Sequence, residues 1–226
     1  MNNLYDQLAA QAAKTRQMKP EFMQKVDALI ASARESGEGA HALAVGQRAP
    51  EFSLPDAHGA PVSLSKLLQS GSVVLVFYRG SWCPYCNLQL HALQSRLAEI
   101  QKLGAQLVAI SPQKPDNSLS QLERDALEFT VLSDQDCHVA TQFGVAWKVP
   151  TLFLDHMRKD RGLDLVEINQ GNGSRLPIPA TFILDHDGQV IWNSIDVDYR
   201  TRAEPDEVIA ALTKLKHTFP SQSALS

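Results

Sequence analysis

A continuous apolar and β-branched run at residues 73–78 ends five residues before the first of two cysteines that open a helical pattern. Such a run is typical of a central strand that is buried on both faces of a sheet. A helix is predicted over residues 84–103, and one side of it carries four apolar residues: Leu88, Leu93, Leu97 and Ile100. The sequence therefore predicts a strand, a turn and a helix, with Cys83 and Cys86 at the junction.

From Gly46 onward, short predicted strands alternate with helices, which indicates an α/β domain with a central mixed sheet flanked by helices. Further strands are predicted at "AQLVAIS", "TVLS", "ATFILD" and "QVIWNSI", and the turn "HDG" joins the last two in a hairpin. Helices are predicted at residues 118–129, at residues 137–143 and from Pro205. Residues 150–178 fit this alternation less well and are interpreted as an insertion.

The first 45 residues predict two helices, one over residues 4–15 and another that begins at Pro20. We therefore divide the chain into an N-terminal helical extension at residues 1–45 and one α/β domain at residues 46–220. The extension is amphipathic, so its apolar side needs a partner surface. Packing against its own domain is favoured over packing against a second subunit.

Composition argues against several classes of function. The 226 residues, 44% of them hydrophobic, can form one sizeable core, and they do not require a second domain. The net charge is −4 and no long block of Lys and Arg occurs, so we expect no nucleic-acid partner and no membrane partner. The first residues lack the apolar core of a secretory signal, and no apolar stretch approaches the roughly 18 residues of a membrane helix. We expect a cytoplasmic chain, in which an accessible thiol pair is reduced at rest.

The cysteine pair allows three kinds of site: a metal site, two inert core thiols or a redox pair. A structural zinc site usually needs four ligands in two close pairs, and only Cys137, His138 and scattered histidines could complete it. Burial without reactivity is common for free cysteine, and it is the favoured interpretation of Cys137 alone. Pro84 at the first helical position places Cys83 at the N-cap and Cys86 at the third helical residue. Both sulfurs then lie near the positive end of the helix, which lowers thiol pKa values and favours a redox pair without metal or cofactor.

Four segments resemble the redoxin branch of the thioredoxin fold: "GQRAPEFSLPDAHGAPVSLSKLL", "VVLVFYRGSWCPYC", "VLSDQDCHVATQFGV" and "PATFILDHDGQV". More narrowly, residues 46–215 are similar to the peroxiredoxin-like proteins of the alkyl hydroperoxide reductase and thiol-specific antioxidant (AhpC/TSA) family. The resemblance implies a thioredoxin-like fold and an antioxidant thiol peroxidase that a thioredoxin- or glutathione-type donor recycles. Cys86 and Cys83 are the implied catalytic pair, and Trp82, Tyr85 and Pro179 are expected around the substrate.

The residues of this sequence do not agree on the substrate that the resemblance implies, because some match peroxiredoxins and others match disulfide reductases. Peroxiredoxins have a Thr three residues before the peroxide-reacting Cys and an Arg shortly before a later strand. Here Cys83 stands at the Thr position, Pro179 stands at the Arg position, and Arg79 replaces a Pro. The motif from Trp82 to Cys86 is similar instead to thioredoxin and its disulfide-reducing relatives, in which it faces a cis-proline. That similarity implies a cis peptide bond at Pro179.

Two reactions therefore stay open, and each ends in a Cys83–Cys86 disulfide. In peroxide reduction, Cys86 is oxidised to a sulfenic acid and Cys83 condenses with it. In disulfide exchange, Cys83 is the more acidic thiol because of its N-cap position, and Cys86 resolves the mixed disulfide. Family placement and the missing export signal favour the peroxide, whereas the absent Thr and Arg favour a disulfide substrate. A metal-handling module of the same fold is a third alternative, and the sequence leaves a homodimer open.

Overall fold

The computed structural model of the chain describes residues 3–114, 127–169, 171 and 173–218. These ranges contain nine strands: β1 (Ser53–Pro55), β2 (Pro61–Ser63), β3 (Ser72–Phe77), β4 (Ala105–Ser111), β5 (Thr130–Ser133), β6 (Ala146–Lys148), β7 (Arg175–Pro177), β8 (Ala180–Leu184) and β9 (Val190–Ile195). They also contain nine α-helices: α1 (Leu4–Met18), α2 (Pro20–Glu35), α3 (Leu64–Leu68), α4 (Pro84–Gln94), α5 (Leu97–Lys102), α6 (His138–Gln142), α7 (Thr151–Arg161), α8 (Leu165–Asn169) and α9 (Pro205–Thr218). No helix of the described part is both long and apolar enough to span a bilayer.

The central sheet has five strands in the order β5–β4–β3–β8–β9. Strand β3 pairs in parallel with β4, and β4 pairs in parallel with β5. Strand β8 is antiparallel to both β3 and β9, and β8 and β9 form the predicted hairpin. The sheet is therefore mixed, as predicted, and β3, which holds most of the apolar run at residues 73–78, is its central strand.

The side chains of β3 alternate between two cores, because successive residues of a strand point to opposite faces. One core holds Val73, Leu75 and Phe77, and the other holds Val74, Val76 and the following Tyr78. All six are almost fully buried, which explains why the run is apolar at every position. The second core also contains apolar residues of α1, α4, α5 and α9, so these helices cover that face of the sheet.

Helices α1 and α2 form the N-terminal arm. The Asn3 side chain caps α1 by accepting the Asp6 N–H, and Pro20 begins α2 at a position where its missing N–H costs nothing. Leu4 and Leu8 of α1 are buried in the second core beside α4. The arm therefore packs on its own domain, which confirms the favoured interpretation.

Two segments differ in detail from the sequence prediction, and a third cannot be compared with it. The helix predicted over residues 84–103 is two helices, because Arg96 between them has a non-helical ψ of 10°. The described residues of the insertion at residues 150–178 include α7, α8 and β7, and β7 pairs with β6. Most of the helix predicted at residues 118–129 lies outside the described residues.

Candidate active site

Cys83 and Cys86 lie at the turn between β3 and α4, with Cys83 at the N-cap as predicted. Gly80 makes this turn with a φ of +135°, and a Cβ there would approach Trp82 Nε1 to 2.5 Å. The position therefore requires glycine. The Cys83 carbonyl accepts the N–H of Cys86 at 3.1 Å, which holds the two residues on one tight turn.

Three donors surround the Cys86 sulfur, which is fully buried. The thiol of Cys83 and the backbone N–H of Arg79 donate to it. The guanidinium of Arg202 donates from Nη2 at a distance of 3.2 Å. Burial alone would raise the pKa of Cys86, but the Cys83 hydrogen bond and the charges of Arg202 and Arg79 lower it to about 5. These three groups therefore favour the thiolate form of Cys86.

The pKa of the Cys83 thiol is shifted in the opposite direction, above its usual value. Burial raises the pKa of Cys83, and so do its hydrogen bond to Cys86 and the negative charge on that sulfur. The positive charges of Arg79 and Arg202 offset only part of this effect. The Cys83 side chain also makes no N-cap hydrogen bond. The N-cap position therefore does not make Cys83 the more acidic thiol, which disagrees with the expectation for disulfide exchange.

Arg79 brings a second buried guanidinium to the site. Its side chain is only 2% exposed, and its Nε and Nη2 atoms have no hydrogen-bond partner among the described residues. Three aromatic rings surround its Cζ atom, at 4.1 Å for Tyr199, 4.6 Å for Phe153 and 5.0 Å for Trp82. Ring faces attract a cation weakly, so they offset part of the cost of burying it. The remaining positive charge stabilises negative charge on the two sulfurs.

Arg202 is a residue of the site that the sequence did not predict. Pro179 stands at the position of the family's arginine, but the loop between β9 and α9 brings another guanidinium to Cys86. The Nη1 atom of Arg202 donates to the carbonyls of Tyr199 and Thr201, which fixes the orientation of the guanidinium. Arg202 and Cys86 are 116 residues apart in sequence, and no motif links them. Only the folded loop shows that they meet.

Pro179 is trans, because no cis peptide bond occurs anywhere in the described ranges. The prediction of a cis bond is therefore wrong. The chain runs extended from β7 into β8, with the Ile178 N–H donated to the Val145 carbonyl at 2.7 Å, and the trans isomer suits this path. Pro179 lines a small cavity together with Gln89 and Arg202. Without a cis-proline, the disulfide-exchange alternative loses the geometry on which it rested.

The two predicted aromatic residues occupy different environments. Trp82 is half-buried at the edge of the site, where its ring lies 6.4 Å from the ring of Phe153. Tyr85 is buried in the second core, and its ring meets the ring of Tyr199 edge to face at 5.6 Å. Trp82 therefore borders the cluster around Arg79 directly, whereas Tyr85 supports it from within the core.

The third cysteine lies in the other core. Cys137 packs on the opposite face of the sheet from Cys83 and Cys86, and it is fully buried there. Burial, and after it the charge of Asp134, raises the pKa of Cys137 well above its usual value. These features confirm the interpretation of Cys137 as a packed single cysteine. In the described ranges, no three His, Cys, Asp or Glu side chains are grouped so that they could hold a metal ion.

Residues 45–193 match the AhpC/TSA family. Peroxiredoxin Bcp of Escherichia coli (strain K12) is 39% identical over 103 residues, which are 46% of this chain and 65% of that protein. The chloroplastic peroxiredoxin Q of Sedum lineare is 30% identical over 173 residues, which are 76% of this chain and 78% of that protein.

The solved structures point to the same fold. Peroxidoxin BcpB from Mycobacterium tuberculosis aligns with a TM-score of 0.58 and 25% identity, over 76% of this chain and 97% of that one. This match and the mixed sheet between helices confirm the predicted thioredoxin-like α/β fold. The alignment with the Escherichia coli protein spans slightly less than two thirds of that protein's length. The family match nonetheless covers more than half of the present sequence, and the chain belongs to the AhpC/TSA family.

Proposed function

We propose that this chain is a thiol peroxidase that reduces hydroperoxides at Cys86 and uses Cys83 as the resolving cysteine. The observation that carries the proposal is the Cys86 sulfur, which is buried, accepts a hydrogen bond from the guanidinium of Arg202 at 3.2 Å and has a lowered pKa. A thiolate is the form of cysteine that attacks a peroxide oxygen. The names of the relatives in the AhpC/TSA family support the same reaction.

In the first step, the Cys86 thiolate attacks the outer oxygen of the hydroperoxide, and the O–O bond breaks. Sulfur takes up that oxygen as a sulfenic acid, and the second oxygen leaves as an alkoxide or hydroxide that takes a proton to become an alcohol or water. Negative charge grows on the leaving oxygen during this step. Arg202 is placed to stabilise that charge, and the buried guanidinium of Arg79 adds to the positive potential.

In the second step, the roles of the two sulfurs change. Oxidation removes the negative charge from Cys86, and that charge is one cause of the raised pKa of Cys83. Arg79 and Arg202, which lower the pKa of Cys83, remain in place. The Cys83 sulfur can then lose its proton and attack the Cys86 sulfur, which releases water and forms the disulfide. A thioredoxin-type dithiol, or alternatively a glutathione-type donor, restores both thiols by exchange.

The proposal predicts a single intramolecular disulfide. One equivalent of hydrogen peroxide should join Cys83 to Cys86, because residues three apart on a first helical turn lie within bridging reach. Peptide mass mapping under non-reducing conditions measures this directly. Cys137 should remain a free thiol, since it is packed on the other face of the sheet. A main disulfide that contains Cys137, or none at all, would contradict the assignment.

The rate of the first step should depend on pH in a simple way. The thiolate is the reactive form, so the second-order rate constant should rise through the Cys86 pKa of about 5 and stay level above it. Cys83 should add no inflection below neutral pH, because its pKa is raised. Stopped-flow mixing with hydrogen peroxide between pH 4 and pH 9 provides the profile. An inflection near the usual cysteine value, about 8.5, would show that Cys86 is not activated.

A further inference from the structure

Arg202 lies on a loop that the N-terminal arm contacts at several points. This loop, residues 196–204, connects β9 to α9 and is called the Arg202 loop below. It lies after residue 193, where the family match ends, and the arm lies before residue 45, where that match begins. The contact between arm and loop is therefore built from parts of the chain outside the family match.

Arg200 is the centre of this contact. Its Nε and Nη2 atoms each donate to the Asp198 carboxylate at 2.8 Å, and the Asp198 carboxylate also accepts the backbone N–H of Arg200. The remaining Nη1 atom donates at 2.7 Å to Asp27 on α2 of the arm. One guanidinium thus ties the loop to itself and to the arm. A planar guanidinium held by two carboxylates leaves the loop backbone little freedom to rotate.

Two further polar contacts link the arm to the ends of the loop. Arg34 of α2 pairs with Asp196 at 3.2 Å. At the other end, the Glu204 carboxylate accepts the backbone N–H groups of Leu4 and Tyr5 at the start of α1. A carboxylate at a helix N-terminus is favoured by the unpaired N–H groups and by the helix dipole. The arm therefore holds both ends and the middle of the Arg202 loop.

The middle contact is the one that decides the position of Arg202. Exposed ion pairs contribute little, and the Arg34 side chain is 57% exposed. In the pair of Arg200 with Asp27, the arginine side chain is only 16% exposed and the aspartate side chain is 38% exposed, so water screens this pair less than the pair of Arg34 with Asp196. Arg200 is also two residues from Arg202, whereas Asp196 is six residues away. A change at Asp27 therefore acts on the part of the loop that aims the guanidinium at Cys86.

We propose that Asp27 is a positioning residue for the peroxide reaction: through Arg200 it fixes the loop that places the Arg202 guanidinium against the Cys86 sulfur. The inference rests on the proposed function, and it assigns the N-terminal arm a part in the chemistry. Asp27 itself touches neither the sulfurs nor Arg202 in the hydrogen bonds of the described residues. Its effect must be transmitted by the loop.

The test is the titration of the Cys86 thiolate in Asp27→Asn, followed by its ultraviolet absorbance between pH 3.5 and pH 9 in the full-length reduced protein. The amide keeps the shape of the side chain but removes its charge. The expected result is a rise of about one unit in the Cys86 pKa, because an ionic hydrogen bond to the thiolate is weakened. The rate constant with hydrogen peroxide, measured above the new pKa, should fall about tenfold because Arg202 is less well placed.

Arg16→Gln is the matched control. Arg16 donates to the same Asp27 carboxylate, but it lies on α1, its side chain is 52% exposed, and no hydrogen bond or ion pair given for the described residues joins it to the Arg202 loop. This variant should titrate and react as the wild-type protein does. Asp27→Glu keeps the charge and should recover most of the wild-type pKa. A purely structural role of Asp27 would change the stability without moving the Cys86 titration.

An Asp27→Asn protein that is folded and titrates as the wild type does would overturn the inference and leave the proposed function intact. A wild-type protein whose Cys86 titrates at the usual cysteine value would instead contradict the proposed function. If Asp27→Asn does not fold, Arg200→Lys replaces it, because one ammonium cannot hold Asp198 and Asp27 in the fork geometry. A Cys86 pKa unchanged in that variant would equally count against the inference.

Discussion

Cys86→Ser should lose the reaction with hydrogen peroxide by about 10³-fold or more, whereas Cys83→Ser should keep the first step. The loss combines two effects: an ordinary thiol is only a few per cent thiolate at neutral pH, and a positioned donor to the developing charge contributes about 10²- to 10³-fold. Burial is the first cause of the raised pKa of Cys83, and it persists when Cys86 is replaced. Cys83 therefore reacts with peroxide far more slowly than Cys86 does.

The Cys83→Ser protein should consume one equivalent of peroxide and stop at the sulfenic acid of Cys86. Serine is the suitable replacement, because its hydroxyl can still donate to the Cys86 sulfur while it cannot form a disulfide. A cyclic diketone added with the peroxide should label Cys86, and mass spectrometry should locate the label. Excess peroxide without the trap should carry Cys86 on to the sulfinic acid.

Cys137→Ala is the control for these two variants, because it removes a thiol from the opposite face of the sheet. Its rate constant with peroxide should match that of the wild-type protein. The assignment of roles would be reversed by an inert Cys83→Ser protein together with a reactive Cys86→Ser protein. Single-turnover mixing with each variant gives this answer without any reductant.

The fold could be predicted from local patterns to a large extent. The apolar run at residues 73–78 indicated a central strand because burial on both faces demands apolar side chains at every position. The hairpin of β8 and β9 and the helix at Pro205 follow from turn and cap signals of only a few residues. The break at Arg96 could not be foreseen, since apolar periodicity continues across it into α5.

The site could be predicted only where its parts are adjacent in sequence. Cys83 and Cys86 lie in one short motif, so their proximity follows from helix geometry. The choice between them depends on Arg202, which lies beyond the end of the family match and approaches through a loop. Pro179 stands at the position of the family's arginine, and no local pattern indicates that Arg202 approaches Cys86 from 116 residues away.

The resemblance left both peroxide reduction and disulfide exchange open, because it could not show which of the two cysteines is the more acidic. That difference depends on the buried charges around them. A thiol at an N-cap is acidic when its sulfur accepts helix N–H groups, and the sulfur of Cys83 does not. Cys86, one turn into the helix, gains its low pKa from Cys83, Arg202 and Arg79 instead. The low pKa of Cys86 therefore depends on two segments of the chain: the β3–α4 turn, which carries Cys83 and Arg79, and the Arg202 loop.

Arg202→Gln should produce the second large effect, a fall of about 10²- to 10³-fold in the rate constant with hydrogen peroxide. Two causes contribute to this fall: a higher pKa of Cys86 and a less stabilised leaving oxygen. Measurements at different pH values separate them. A hydrogen bond to a charged group is worth about 1.5–3 kcal/mol, which corresponds to a rise of about one to two units in the Cys86 pKa. At pH 8.5 the thiolate is still the main form after such a rise, so the loss that remains there reports on the leaving oxygen alone.

The controls decide between a local effect and a general loss of structure. Arg158→Gln removes an arginine whose ion pair with Asp164 is largely exposed, and it should change neither the Cys86 titration nor the rate. Arg202→Lys keeps the charge but loses the fork, so its rate should lie between those of Arg202→Gln and the wild type. If Arg202→Gln at pH 8.5 reacts with peroxide as fast as the wild-type protein, Arg202 does not stabilise the departing oxygen. The positive charge of Arg79 would then be the group that drives the reaction, because it is the other guanidinium that acts on both sulfurs.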